Sequence, residues 1–194
     1  MTDKKNITGI ILAGGKSSRM GSDKALLLYK GKVFLSHVIN AIKPLVDDII
    51  IVSNDERHSQ FNYRRISDTI IDAGPLAGIH AGLTDSNTEN NLVLSCDVPL
   101  IQTSILEFIL SHNENQTDVI QIEEKGRKHP LIALYKKSTT AHINQALIQG
   151  ERKLRRALIG LNIKTVSVPE GQGDALKNIN TMMDLKKIEN GNLY

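Results

Sequence analysis

The sequence predicts an α/β fold, a three-layer sandwich in which a mostly parallel sheet is covered by helices on both faces. Three observations carry that prediction. Short β-branched runs alternate with longer stretches of helical period along the chain. The strand candidates are apolar almost throughout, the mark of strands buried on both faces. Glycine-rich and aspartate-bearing segments follow two of these strands directly, and in open α/β sheets ligands gather at the carboxyl ends of the strands.

Ile7 to Leu12 is the first predicted strand, Asp48 to Ser53 ("DIIIVS") the second, Ile66 to Ile71 the third and Asn91 to Ser95 ("NLVLS") the fourth. Between the first two, Val33 to Val46 puts Phe34, Val38, Ala41, Ile42 and Leu45 on one helical face. Leu76 to Leu83 and Ser104 to Leu110 are predicted as shorter helices. Later strands are expected at Val119 to Ile122, Leu131 to Tyr135 and Ile163 to Val168, and later helices near Thr139 to Ile148, Arg152 to Ile159 and Thr181 to Ile188. The polar stretches "DSNTENN" and "SHNENQTD" are connections.

With 194 residues, 40% of them hydrophobic, the chain can bury a proper core as a single domain over residues 1–194. It has no tryptophan and only 4% aromatic residues, too few for the base-stacking surface of a single-strand nucleic-acid binder. A net charge of +3 is mild, and the one dense basic run, Arg152 to Arg156, is either a solvated helix face or a contact for an anionic partner. Lone Cys96 excludes an internal disulfide, Lys4 and Lys5 precede only a short apolar run, and no run is long enough to cross a bilayer. A reducing, cytoplasmic setting is expected, with neither nucleic acid nor membrane as a partner.

The segment "ILAGGKSSRMGSDK" leaves the first strand at its carboxyl end. Gly14 and Gly15 let the main chain turn sharply and expose N–H groups that can cradle phosphate oxygens, while Lys16, Arg19 and Lys24 balance negative charge. Taken alone, the stretch is equally a glycine-rich turn with solvated charges. It fits neither the Walker pattern nor the dinucleotide Gly-x-Gly-x-x-Gly pattern. "SCDVPL" leaves the fourth strand in the same way, and Asp97, stiffened by Pro99, is a candidate ligand for a hard divalent cation or else a turn-capping aspartate. Cys96 has no histidine near it in sequence and suits a small core residue better than a nucleophile. "DAGPLAGIHAG" brings Gly74 and Pro75 to a helix start that is expected to face the same crevice. Three such loops at one sheet edge describe a nucleotide site.

"LAGGKSSRMGSDK", "GPLAGI", "SCDVPL", "HPLIALY" and "NINT" occur in the order and at roughly the spacing of the molybdenum cofactor guanylyltransferases, and the resemblance runs from Ile7 to about Ile188. It implies a Rossmann-like nucleotidyltransferase fold, with residues of about 7–100 binding nucleotide and about 101–190 binding the acceptor. It also implies GMP transfer from GTP to molybdenum-molybdopterin, with magnesium as cofactor, and molybdenum-insertion proteins and apo-molybdoenzymes as further partners. By motif position, Leu12, Ala13, Gly14, Gly15, Arg19 and Lys24 inherit the phosphate-binding role, with Arg19, Lys24 and Asp97 carrying catalysis. Asp97 matches the metal-binding aspartate, and Asn54 and Asp68 fall where the family contacts nucleotide. Asn178 and Asn180 match a motif that closes the site. His129, beside Arg127 and Lys128, is either an acceptor contact or a structural residue. The chain departs from the family in "NINTMMDL", where proline and acidic residues usually follow the threonine, a change at a helix cap. Two alternatives stand beside this one. Relatives using CTP or a sugar-phosphate acceptor tend to carry alanine where this chain has Gly14, and a nucleotide-sensing module could dispense with Lys24 and Asp97.

Overall fold

The computed structural model describes residues 6–14, 23–68, 70 and 73–190. Its seven-stranded sheet follows the order β5 (Arg64–Ile66), β4 (Asp48–Val52), β1 (Ile7–Leu12), β6 (Asn90–Ser95), β8 (Arg127–Lys136), β7 (Val119–Glu124), β9 (Ile163–Ser167). Every neighbouring pair is parallel except those made by β8, which runs antiparallel to both β6 and β7. A two-stranded hairpin, β2 (Leu28–Tyr29) with β3 (Lys32–Val33), stands apart from it.

The continuous apolar runs have a direct physical cause. Ile10 and Ile11 are consecutive and both fully buried because successive strand side chains point to opposite faces, and each face has its own core. Ile11, Ile49, Ile51 and Leu94 pack with α1 (Phe34–Ile42) and α3 (Thr103–Ser111). Ile10, Ile50, Val52 and Val93 pack with α2 (Gly74–Asp85), α4 (Thr140–Ile148) and α5 (Leu154–Ala157). The two cores give the three layers. α2 approaches β1 so closely that a Cβ on Gly82 would lie 2.5 Å from Ile10 Cγ2, which leaves glycine as the residue that fits. A third, smaller core joins Tyr29 and Phe34 to Ile179 and to Leu185 and Ile188 of α6 (Met182–Glu189).

Two expectations change. The third strand ends at Ile66 instead of beginning there: Arg64 and Arg65 pair in register with Ile50 and Ile51, and their side chains leave the sheet edge to meet Asp48, Asp85 and the Ser53 carbonyl. Thr69 and Ile71, from the rest of that predicted strand, lie outside the described residues. The helix expected over Arg152 to Ile159 shortens to Leu154–Ala157, so most of the basic run is loop and helix end. Among the described residues, no helix is long and apolar enough to cross a membrane.

Candidate functional site

The site begins with the level ends of three adjacent strands. Leu12 of β1 is in register with Val52 of β4 and with Ser95 of β6. The ladder continues one residue further, with Ala13 N donating to Val52 O at 2.9 Å, Cys96 N to Leu12 O at 3.0 Å and Ser53 N to Ile66 O at 2.8 Å. The next residues out are Gly14, Asn54 and Asp97. Three side-chain positions expected from sequence therefore emerge side by side because the backbone pairing beneath them stops at the same level. Of Leu12 only the main chain reaches this edge, since its side chain is buried against Gly78 of α2.

A cleft of about 560 Å³ opens beside this edge, lined by Ala13, Gly14, Asp23, Ser53, Asn54, Asp55, Glu56 and Asp68, a size suited to a small molecule. Asn54 Nδ2 donates to Asp68 Oδ1 at 3.2 Å across it, which joins the two weaker sequence candidates. The glycine-proline start of α2 does not line the cleft among the described residues, contrary to expectation. Gly74 adopts φ +57° and Pro75 follows in the first turn, so the pair works to start a helix.

Lys24 and Asp97 are held from the far end of the chain. Lys24 Nζ donates to Asn180 Oδ1 at 2.7 Å, and Asn178 Nδ2 donates to Asp97 Oδ2 at 3.2 Å. Between the two asparagines, Ile179 N donates to the Asp97 carbonyl at 2.8 Å while its side chain is buried in the third core. The segment is fixed below by a capping box: Thr181 Oγ1 accepts from Asp184 N at 3.1 Å, and Asp184 Oδ2 accepts from Thr181 N at 2.8 Å and Asn180 N at 3.0 Å. The departure after the threonine therefore leaves the cap intact. Asp97 Oδ1 is buried and has no hydrogen-bond partner among the described residues. An orphaned carboxylate oxygen carries a desolvation cost, and as a hard donor it fits a divalent cation.

Cys96 lies among these groups. Burial, then the nearby charges of Asp97 and Asp23, push its thiol well above the ordinary range, with Lys24 opposing them. The thiolate needed for nucleophilic attack is disfavoured, in line with a core role.

His129 lies elsewhere on the same edge. The last pair between β6 and β8 is Leu94 with Ile132, so β8 residues 127–131 extend past the end of β6. There His129 pairs with Ile122 of β7, just past an irregularity at which β8 residues 130–132 are left without partners in β7. It is buried, its Nε2 has no hydrogen-bond partner among the described residues, and burial followed by the charge of Arg127 lowers its pKa. It does not line the cleft. Gly15, Lys16 and Arg19 lie outside the described residues.

The structure adds five residues that the sequence had not singled out. Asp23 Oδ1 accepts from Ala25 N at 3.0 Å and caps the short turn Lys24–Leu26. Its Oδ2 lies 2.8 Å from Nε2 of the fully buried His58, whose Nδ1 is 2.7 Å from Ser53 Oγ. Arg57 grips Asp55 with Nε and Nη2 and reaches Asp23 at 3.5 Å. That hydrogen bonding holds the Asp55 carboxyl well below the usual carboxylate range. The available signal was positional, since "SNDERH" leaves the second strand as the other site loops leave theirs.

Comparison with known proteins agrees with this geometry. Residues 9–165 match the family described as "MobA-like NTP transferase domain". A protein of Flavobacterium johnsoniae named "Probable molybdenum cofactor guanylyltransferase" is 35% identical over 184 residues, 95% of this chain and 97% of that one. A Yersinia pestis molybdenum cofactor guanylyltransferase is 37% identical over 186 residues, 92% of this chain and 93% of its own. Among solved structures, the molybdopterin-guanine dinucleotide biosynthesis protein A of Archaeoglobus fulgidus superposes with a TM-score of 0.80 at 26% identity, covering 94% of this chain and 97% of that one.

Proposed function

Because the chain belongs to the molybdenum cofactor guanylyltransferase family, we propose that it transfers GMP from GTP to the terminal phosphate of molybdenum-molybdopterin, forming molybdopterin guanine dinucleotide and releasing pyrophosphate. The observation that carries this reading is that Lys24, in the turn Lys24–Leu26, and Asp97, just past the end of β6, are tied by Asn180 and Asn178 to one returning segment. Nucleotidyl transfer asks an anionic acceptor to reach the α-phosphate of an anionic donor, so the protein must align the groups and offset charge. Exposed Gly14 opens main-chain N–H groups to the phosphates. Lys24 offers an ammonium to the departing pyrophosphate, and Arg19 joins it there by motif position. Asp97 would hold magnesium, which when bound polarises the α-phosphoryl oxygen. An oxygen of the acceptor phosphate forms the new bond to the α-phosphorus as the bond to the β-phosphate oxygen breaks. No enzyme nucleophile is needed, in keeping with the buried Cys96 thiol.

Base selection falls to Asp68, one oxygen of which is held by Asn54. A carboxylate can accept both the N1–H and N2–H of guanine, so Asp68→Ala weakens GTP in particular. The acceptor belongs with the second half of the chain, where Arg127 and Lys128 bring positive charge to the overhanging hairpin and Arg155 Nη2 reaches Lys128 O at 3.4 Å. The work is placed in the cytoplasm. Use of CTP or a sugar-phosphate acceptor is the less supported alternative, since the named relatives are guanylyltransferases.

The test is to incubate the purified protein with magnesium and each of the four nucleoside triphosphates, with and without molybdopterin, and to measure pyrophosphate. Release with GTP that depends on the pterin is expected. Equal use of CTP, or release that ignores the pterin, would overturn the assignment.

A further inference from the structure

We propose that His58 is a positioning residue for this site: it ties the residue that precedes Lys24 to the end of β4, and so fixes the lysine relative to the Asn54 side of the cleft. The proposal rests on the nucleotidyl-transfer reading for its kinetic consequence, but its structural part stands without it.

One tautomer fits both ring contacts. Ser53 Oγ accepts from Asp55 N at 3.0 Å, so its own proton is free for His58 Nδ1 at 2.7 Å. A ring carrying its proton on Nε2 meets that arrangement, and Nε2 lies 2.8 Å from Asp23 Oδ2. This N–H does not point straight at the oxygen, so the contact is a short charge–dipole attraction and not a well-aligned hydrogen bond. Its two ends are anchored. Ser53 is pinned to β5 through its N–H, and Asp23 caps the turn that contains Lys24. A fully buried imidazole with one unaligned N–H is a costly way to fill space, and here it lies between two elements of one cleft.

Two other assignments for these atoms fail. Ligand atoms of Asp23, Asp55 and His58 lie within 4.8 Å of one another, as a metal site would require. The two carboxylates already share a cation, because Arg57 Nη2 is 2.5 Å from Asp55 Oδ2 and 3.5 Å from Asp23 Oδ2. The chain of serine, histidine and aspartate resembles a hydrolytic triad. Ser53 is 2% exposed and its hydroxyl is engaged on both sides, so no substrate carbonyl can reach it.

The experiment compares His58→Gln with His58→Asn in the full chain. Glutamine places its amide near the Nε2 position and can still face Asp23, whereas asparagine reaches only the Ser53 side. Asp23→Asn, changed on the cleft side with the buried ring left in place, is a third variant. In His58→Asn and Asp23→Asn, KM for GTP is expected to rise about tenfold with kcat changed by less than about threefold, and His58→Gln is expected to recover most of the loss. Amide exchange at Ala25, whose N–H reports the Asp23 cap, should quicken about tenfold in His58→Asn and stay near wild type in His58→Gln. Losses that simply follow the melting temperature in both histidine variants, with Ala25 exchange unchanged, would overturn the proposal. If the wild type transfers no GMP, the functional reading fails on its own, and exchange at Ala25 still decides the role of His58.

Discussion

The two halves of the sheet meet the same edge in different ways. In β5, β4, β1 and β6 all strands are parallel and end level, so the loops after β1, β4 and β5 open onto one cleft and the loop after β6 leaves the sheet at the same level. In the other half, antiparallel β8 overshoots β6 by residues 127–131 and carries its hairpin with β7 beyond the edge. The parallel half thus supplies a floor of strand ends, where main-chain groups and short side chains are fixed to within the precision of the ladder. The antiparallel half supplies a wall. Residues 178–180 come back from beyond β9 and bind Asp97 on the floor and Lys24 in the turn Lys24–Leu26. Under the proposed function, the donor would lie on the floor and the acceptor against the wall.

The floor can be broken most severely at Asp97. Asp97→Asn keeps the shape and removes the charge; if the metal site contributes about 4 kcal/mol to the transition state, pyrophosphate release slows about a thousandfold. Because the carboxylate takes an asparagine contact and leaves one oxygen orphaned, the fold is expected to survive, and a thermal melt checks this. Near-normal turnover in a folded variant would remove Asp97 from the site.

Lys24→Ala tests the turn that the same returning segment holds. Loss of a charge-assisted contact of about 1.5 to 3 kcal/mol predicts a fall in kcat/KM of roughly one to two powers of ten. Unchanged steady-state kinetics would exclude the contact with nucleotide.

The packing beneath the floor is tested by Gly82→Ala. The added methyl would press on Ile10 of β1, and a cost of about 1 to 3 kcal/mol is expected as a lower denaturant midpoint. An unshifted midpoint would mean that α2 can move away from the sheet.

The wall gives the smallest effect, a dependence on pH. The His129 pKa is lowered in the fold, so the unfolded chain binds the proton more tightly and stability falls as pH drops below about 6.5. No such penalty exists well above that pH. His129→Asn is expected to lose less stability than wild type between pH 7.5 and 5.5, measured by urea midpoints. Parallel losses in the two proteins would place the acid sensitivity elsewhere.

What the sequence made legible is mostly the floor. Gly14 and Asp97 follow from where apolar runs stop, because strand-end position is a local property, whereas Asn54 came from the family resemblance. The asparagine contacts span 156 and 81 residues, and their targets emerge only when the chain is folded; the motif marked Asn178 and Asn180, not what they hold. His58 was missed because its neighbours are polar and its burial comes from the packing of the short helix Glu56–Phe61. The third strand was placed too late because Arg64 and Arg65 resemble solvent-facing residues until the ion pairs of Arg64 and the hydrogen bonds of Arg65 at the sheet edge are seen. β2 and β3 are two residues each, too short to show a period.

The most direct measurement follows the label in GTP. With molybdopterin and magnesium present, the account predicts that GTP labelled at the α-phosphate passes its label to the pterin product, while GTP labelled at the γ-phosphate yields labelled pyrophosphate. Label from the γ-position on the pterin, or α-label that remains in free guanine nucleotide while pyrophosphate accumulates, would contradict nucleotidyl transfer at this site.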